Sequence, residues 1–128
     1  MFTNIYITMP FISEFKKKFT LEERKQECER IRGKFTDKIP VIVEKLPNSE
    51  LPPMDRKKFL VPDDIILGQF IQIIRKRINL NSQSSIFVFI GEQQKLISIG
   101  SPILTIYSEN KDEDGFLYVF YTSENTFG

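Results

Sequence analysis

The stretch DDIILGQFIQIIRKRINL, residues 63–80, constrains the fold most. Its apolar residues Leu67, Phe70, Ile71, Ile74 and Ile78 recur at helical spacing and make one stripe. Asp63 and Asp64 stand where an N-cap and a dipole-matched charge belong, and Arg75, Lys76 and Arg77 load the last turn. A helix with a single apolar stripe must bury it against another element. The neighbouring segments that can receive it read as strands.

DKIPVIVEK (37–45) is a short run rich in β-branched residues, with Pro40 near its start. RKKFLVP (56–62) alternates Lys58 and Leu60 with Phe59 and Val61, and Pro62 ends it. Between them LPNSELPP (46–53) is turn-rich. SIFVFI (85–90) is apolar throughout and predicts a central strand. GFLYVFY (115–121) predicts the last strand. KLISI (95–99) has the composition of a short strand, and SPILTIYSE (101–109) that of a short helix opened by Ser101 and Pro102.

Upstream, residues 13–32 are helical in tone. Thr20 and Glu23 have capping-box spacing, Leu21, Cys28 and Ile31 fall on one face, and Gly33 is a candidate stop. The reading is a short helix at 13–18 and a longer one at 21–32. The order is then helix–helix, strand–strand–helix–strand–helix–strand. This is an α+β arrangement of ubiquitin-like β-grasp type with two additional N-terminal helices. The long helix covers one face of the sheet, and the N-terminal helices cover the other face or an edge.

Composition narrows the chemistry. The chain has 128 residues, of which 41% are hydrophobic and twelve are Phe. A chain this long buries roughly two-thirds of its unfolded surface and holds one core without staples. Its 18 basic and 17 acidic residues leave a net charge of +1, so any basic function is local. The single cysteine, Cys28, cannot form an internal disulfide, which fits a reducing cytosol. It reads as a small core residue. With no histidine, Ser–His–Asp and Cys–His catalysis and His-ligated zinc are excluded.

NKDEDG (110–115) begins like a calcium loop, but Tyr121 stands where the bidentate Glu is required, so a polar turn and no metal site is expected. The clusters RKK (56–58) and RKR (75–77) lack interleaved aromatics, so no nucleic-acid partner is expected. Basic residues beside an exposed strand suit instead an acidic peptide added to the sheet edge. MFTNIYITMPFI (1–12) lacks the basic leader and cleavage site of a signal peptide and reads as an extension of unassigned role.

Four blocks together are specific: ERKQECERIRGKFTDKIPVIVEK, RKKFLVP, LGQFIQIIRKRI and DEDGFLYVFY with a terminal Phe-Gly. They resemble the autophagy ubiquitin-like modifiers, the family of GABARAP and the yeast autophagy modifier. The resemblance runs from about Phe19 to Gly128 and places a ubiquitin-like domain at 13–128 with a tail at 122–128. It implies no enzyme activity and no cofactor. It implies that activating and conjugating enzymes join Gly128 to phosphatidylethanolamine, and that a cysteine protease deconjugates it. The protein would be cytoplasmic when free and lipid-anchored on autophagosomal membranes when conjugated.

The resemblance also implies docking of cargo receptors through aromatic-x-x-aliphatic motifs. Their aromatic residue would enter a pocket of Glu27, Ile31, Pro40, Ile42, Lys58, Leu60 and Phe116. Their aliphatic residue would enter one of Phe59, Val61, Pro62, Ile65, Phe70 and Ile73, with Lys38 and Arg77 meeting acidic residues. The alternative is a ubiquitin-like peptide-binding adaptor that is never conjugated. Residues 91–106 depart from the family pattern, Leu21 stands where Phe is common, and the first ten or so residues are unmatched.

Overall fold

In a computed structural model, residues 12–123 are described. Two helices come first, α1 (Glu14–Lys18) and α2 (Leu21–Lys34). Then follow β1 (Lys38–Lys45), β2 (Lys58–Pro62), α3 (Leu67–Arg77), β3 (Phe87–Ile90), α4 (Ile103–Asn110) and β4 (Leu117–Thr122). The sheet order is β2-β1-β4-β3. The middle pair β1/β4 is parallel, and β1/β2 and β3/β4 are antiparallel.

Period-two alternation splits the sheet between two cores. Ile39, Val41 and Val43 of β1, with Leu117, Val119 and Tyr121 of β4, pack with Leu67, Phe70 and Ile74 of α3 and Ile103 and Ile106 of α4. Ile42 of β1, with Tyr118 and Phe120 of β4 and the neighbouring Phe116, packs with Cys28 and Ile31 of α2. The ubiquitin-like order therefore has a helix layer on each face, and the N-terminal pair covers the second.

The β3 expectation is corrected. The strand lies at the margin of the order and Phe87 is 37% exposed. Its apolar run reflects burial on two faces: Val88 and Ile90 enter one core and Phe89 the other. Two-sided burial and lateral position are separate properties, and composition reports only the first.

The start of α3 is corrected too. Asp63 and Asp64 belong to the preceding turn, and the N-cap is Ile66. The carbonyls of Ser101 and Ile99 accept the first amides, from Leu67 at 2.9 Å and Gly68 at 2.8 Å. A Cβ at Gly68 would lie 3.3 Å from the Ile99 oxygen. Residues 91–102 thus supply the cap of the long helix; in place of the expected KLISI strand they make two isolated bridges, Ile90–Lys95 and Ile66–Pro102.

Gly33 does not stop α2, which runs through it to Lys34 and is closed by the Phe35 amide on the Ile31 carbonyl at 2.8 Å. The Thr20–Glu23 capping box is formed. The buried stripe is Arg24, Cys28 and Ile31, with Leu21 only half-buried. Arg24 is admitted because Asp114 meets it, Nε to Oδ2, at 2.8 Å.

Candidate functional site: the groove between α2 and β2

β2 occupies one margin of the sheet, paired to β1 in the register Pro40↔Leu60 and Ile42↔Lys58. That register puts Lys58 and Leu60 on the α2 side, and Phe59 and Val61, opposite Val41 and Ile39, on the α3 side. An extended peptide beside β2 would therefore meet two different surfaces.

From the α2 side a groove of about 510 Å³ runs over the β2 edge, its walls including Ile31 and Phe35 from the helical layer, Leu60 and Phe59 from the strand and Arg77 from the end of α3. Leu60 is 38% exposed, an apolar side chain held at the surface. Ile42 and Phe116 are fully buried beneath, packed with Ile31. Pro40, opposite Leu60, is also buried. Of the seven aromatic-pocket residues named from sequence, Ile31, Lys58 and Leu60 line this groove, and Glu27 lines the neighbouring cavity with Lys58. Pro40, Ile42 and Phe116 lie in the layer below it.

Glu27 spans the top of this region. Its carboxylate receives Arg30 Nε at 3.1 Å and Nη2 at 2.9 Å. It also pairs with Lys58 Nζ across from β2. The Arg30 bond first, and then the Lys58 bond, hold its carboxyl down to about 2. A smaller cavity of about 310 Å³ under Phe15, Phe19 and Arg24 also has Glu27 and Lys58 in its wall. The ion pair thus stands between two spaces on the same side of the sheet.

On the α3 side the predicted aliphatic pocket is mostly filled by its own residues. Val61 is 2% exposed and Phe70 fully buried. The Phe59 ring closes over Phe70 edge-on, with centroids 6.3 Å apart. Phe59, Pro62, Ile65 and Ile73 remain half-buried at the surface of that core. Phe70 is a core residue first, as a stripe residue on a covering helix must be.

The groove is electropositive. Arg30, Arg56, Lys58 and Arg77 contribute to its wall. Arg77 lies 5.5 Å from the Phe59 ring centroid and reaches Asp55 at 3.4 Å. Lys38 pairs with Asp37 at 3.7 Å. Arg56 belongs to the RKK cluster singled out from sequence, whereas Arg30 and Phe35 were not singled out. The i, i+3 spacing of Glu27 and Arg30 was a usable signal. Gly128 and residues 1–11, including most of the expected N-terminal extension, lie outside the described residues.

Comparison with known proteins bears on this arrangement. The family described as "Autophagy protein Atg8 ubiquitin like" matches residues 23–128. The chain belongs to the Atg8 family. Autophagy-related protein 8 of Pichia angusta is 52% identical over 116 residues, covering 91% of each chain. That of Schizosaccharomyces pombe is 51% identical, covering 91% of this chain and 94% of its own. The crystal structure of Trypanosoma brucei ATG8 superimposes with a TM-score of 0.84 at 38% identity, covering 89% of this chain and 97% of that one. The α+β ubiquitin-like fold with its N-terminal helices is the fold of this family. No helix among the described residues is long and apolar enough to cross a membrane.

Proposed function

We propose that this chain is a ubiquitin-like modifier of autophagy, conjugated through Gly128 to phosphatidylethanolamine and recruiting partners through the β2 groove. The Gly128 carboxylate is adenylated by ATP with release of pyrophosphate. A cysteine thiol of the activating enzyme then displaces AMP, and the thioester passes to a conjugating enzyme. The lipid amine attacks the thioester carbonyl, the thiol leaves, and an amide remains. Glycine suits this step because, with no Cβ, it threads a narrow site and leaves its carbonyl open to attack. Two acyl chains then hold the protein at the autophagosomal membrane, where one would bind weakly. A cysteine protease reverses the bond by hydrolysis. The chain itself supplies no catalysis.

Membership of the Atg8 family carries this reading, and the β2 groove supports its second half. Leu60 held at the surface beside a basic rim suits an acidic peptide that pairs with β2. The peptide's aromatic residue enters the α2-side space above Ile42 and Phe116. Its aliphatic residue rests on the half-buried Phe59, Pro62, Ile65 and Ile73, over Val61 and Phe70. Acidic flanks of the motif meet Lys38 and Arg77.

Two experiments test the two halves. In reconstitution with activating and conjugating enzymes and phosphatidylethanolamine vesicles, Gly128 deletion abolishes transfer to the membrane. Undiminished transfer refutes the conjugation reading. In titration calorimetry, Lys58→Ala with Leu60→Ala weakens an acidic aromatic-x-x-aliphatic peptide by more than about tenfold, roughly 1.4 kcal/mol. Unchanged affinity refutes the groove assignment.

A further inference from the structure

α2 is a ridge with space on both flanks. Arg30 and Ile31 line the β2 groove, whereas Lys25, Cys28 and Arg32 turn toward α4 at i, i+3 and i+7. There they border a cavity of about 520 Å³, with Tyr107 and Lys111 of the α4 side and Gly115 of the following turn.

Two cations in this cavity share one aromatic ring. The Arg32 guanidinium lies 5.2 Å from the Tyr107 ring centroid and Lys111 Nζ lies 5.5 Å from it. The ring is held in place, because the Tyr107 hydroxyl donates to the Gly115 carbonyl at 2.7 Å. Among the described residues, no carboxylate stands within 4.0 Å of Lys25, Arg32 or Lys111. Asp112 and Asp114 also stand in the cavity wall, but their charges are matched from outside it, Asp112 by Lys16 at 2.5 Å and Asp114 by Arg24 at 2.8 Å. Like charges brought to one ring without a counter-ion cost energy that a compact anion would recover.

We propose that this cavity is a second docking site, taking a phosphorylated serine or threonine of a partner's peptide. A phosphate monoester presents three acceptor oxygens and nearly two charges, enough to engage Arg32, Lys111 and Lys25 together. Glu29 and Glu113 also line the cavity. Their carboxylates repel an extended polyanion and favour a single phosphate flanked by basic residues. That sets a peptide above an anionic membrane or a nucleic acid.

The site is tested by titrating ¹⁵N-labelled protein with the capped peptide Gly-Lys-pSer-Lys-Gly and with its unphosphorylated form. The phosphopeptide shifts the amides of Lys25, Arg32, Tyr107 and Lys111. The double variant Arg32→Gln, Lys111→Gln weakens it by about tenfold or more. That variant keeps its fold, since both side chains are exposed, and binds an aromatic-x-x-aliphatic peptide as the parent does. No shift at these amides, equal binding of the unphosphorylated peptide, or an unaffected double variant overturns the proposal. So do stronger shifts at the same amides with vesicles containing phosphatidylinositol phosphates, which would make this a lipid site.

Discussion

Asp114 carries more bonds than its place in an acidic turn advertises. It accepts from Arg24 Nε at 2.8 Å, from the Tyr118 hydroxyl at 2.5 Å and from the Phe116 amide at 2.8 Å. Arg24 also donates to the Phe19 carbonyl at 2.7 Å. Replacing Arg24 by Met leaves Asp114 buried with its charge unmatched and should cost about 3–5 kcal/mol, read by urea denaturation. The turn reads as polar and local in sequence, and so it is. Its partner lies 90 residues away, a separation that periodicity within α2 cannot report. The apolar stripe offers Leu21 as the first buried residue, whereas a paired arginine takes that place. Glu27 gives a residue-scale prediction with a defined pH window. Its carboxyl is lowered from 4.5 to about 2, so the charged form favours the folded state. This contribution is complete above 4.5 and is lost as pH falls through about 2. Between pH 5 and 2 the Glu27→Gln variant should therefore lose less stability than the parent, measured by thermal melts across that range.

At the scale of elements, α1 is fastened mostly by polar groups, with Phe15 edge-on to Phe116 at 5.5 Å, whereas α2 buries Cys28 and Ile31 beside the Arg24–Asp114 pair. None of the residues of α1 is buried. The buried Glu44 carboxylate of β1 accepts the Ser13 hydroxyl at 2.8 Å and the amides of Glu14 and Phe15 at 3.0 and 2.8 Å. Lys16 reaches Glu92 at 2.8 Å and Asp112. An acid at the first amides is where a helix best receives one. The position of α1 was legible from its own residues, but the role of Glu44 was not, since it sits in a strand that otherwise reads as core. The same limit explains α3. Its stripe and basic last turn are visible in sequence, and Arg75 does close the following loop, donating to the Asn81 and Ser84 carbonyls at 2.8 Å. Its first turn is completed by carbonyls from residues 99 and 101, and backbone acceptors leave no side-chain signature. Gly68→Val crowds the Ile99 carbonyl and should destabilise by about 1–3 kcal/mol, read as a lower urea midpoint. Gly68→Ala should fall between it and the parent.

For the whole molecule, the groove and the cavity on the other flank of α2 depend on the same ridge. Four of the residues expected around the aromatic pocket frame open space, while Phe70 and Val61 serve mainly the core between sheet and α3. Sequence blocks indicate which residues belong near β2. They do not separate wall from foundation, because that depends on how far α2 and α3 approach the strand. The sheet order also has a consequence for when this protein exists as a folded object. β1 is flanked by β2 and β4, and β3 joins the sheet only through β4. Until Leu117–Thr122 has been synthesised, β1 and β3 share no neighbour, and both cores lack their central residues. Ribosome-stalled chains ending before Phe116 should be degraded rapidly in pulse proteolysis, and chains carrying β4 clear of the exit tunnel should resist it. Translation therefore hands over a folding-competent body only once β4 has been made.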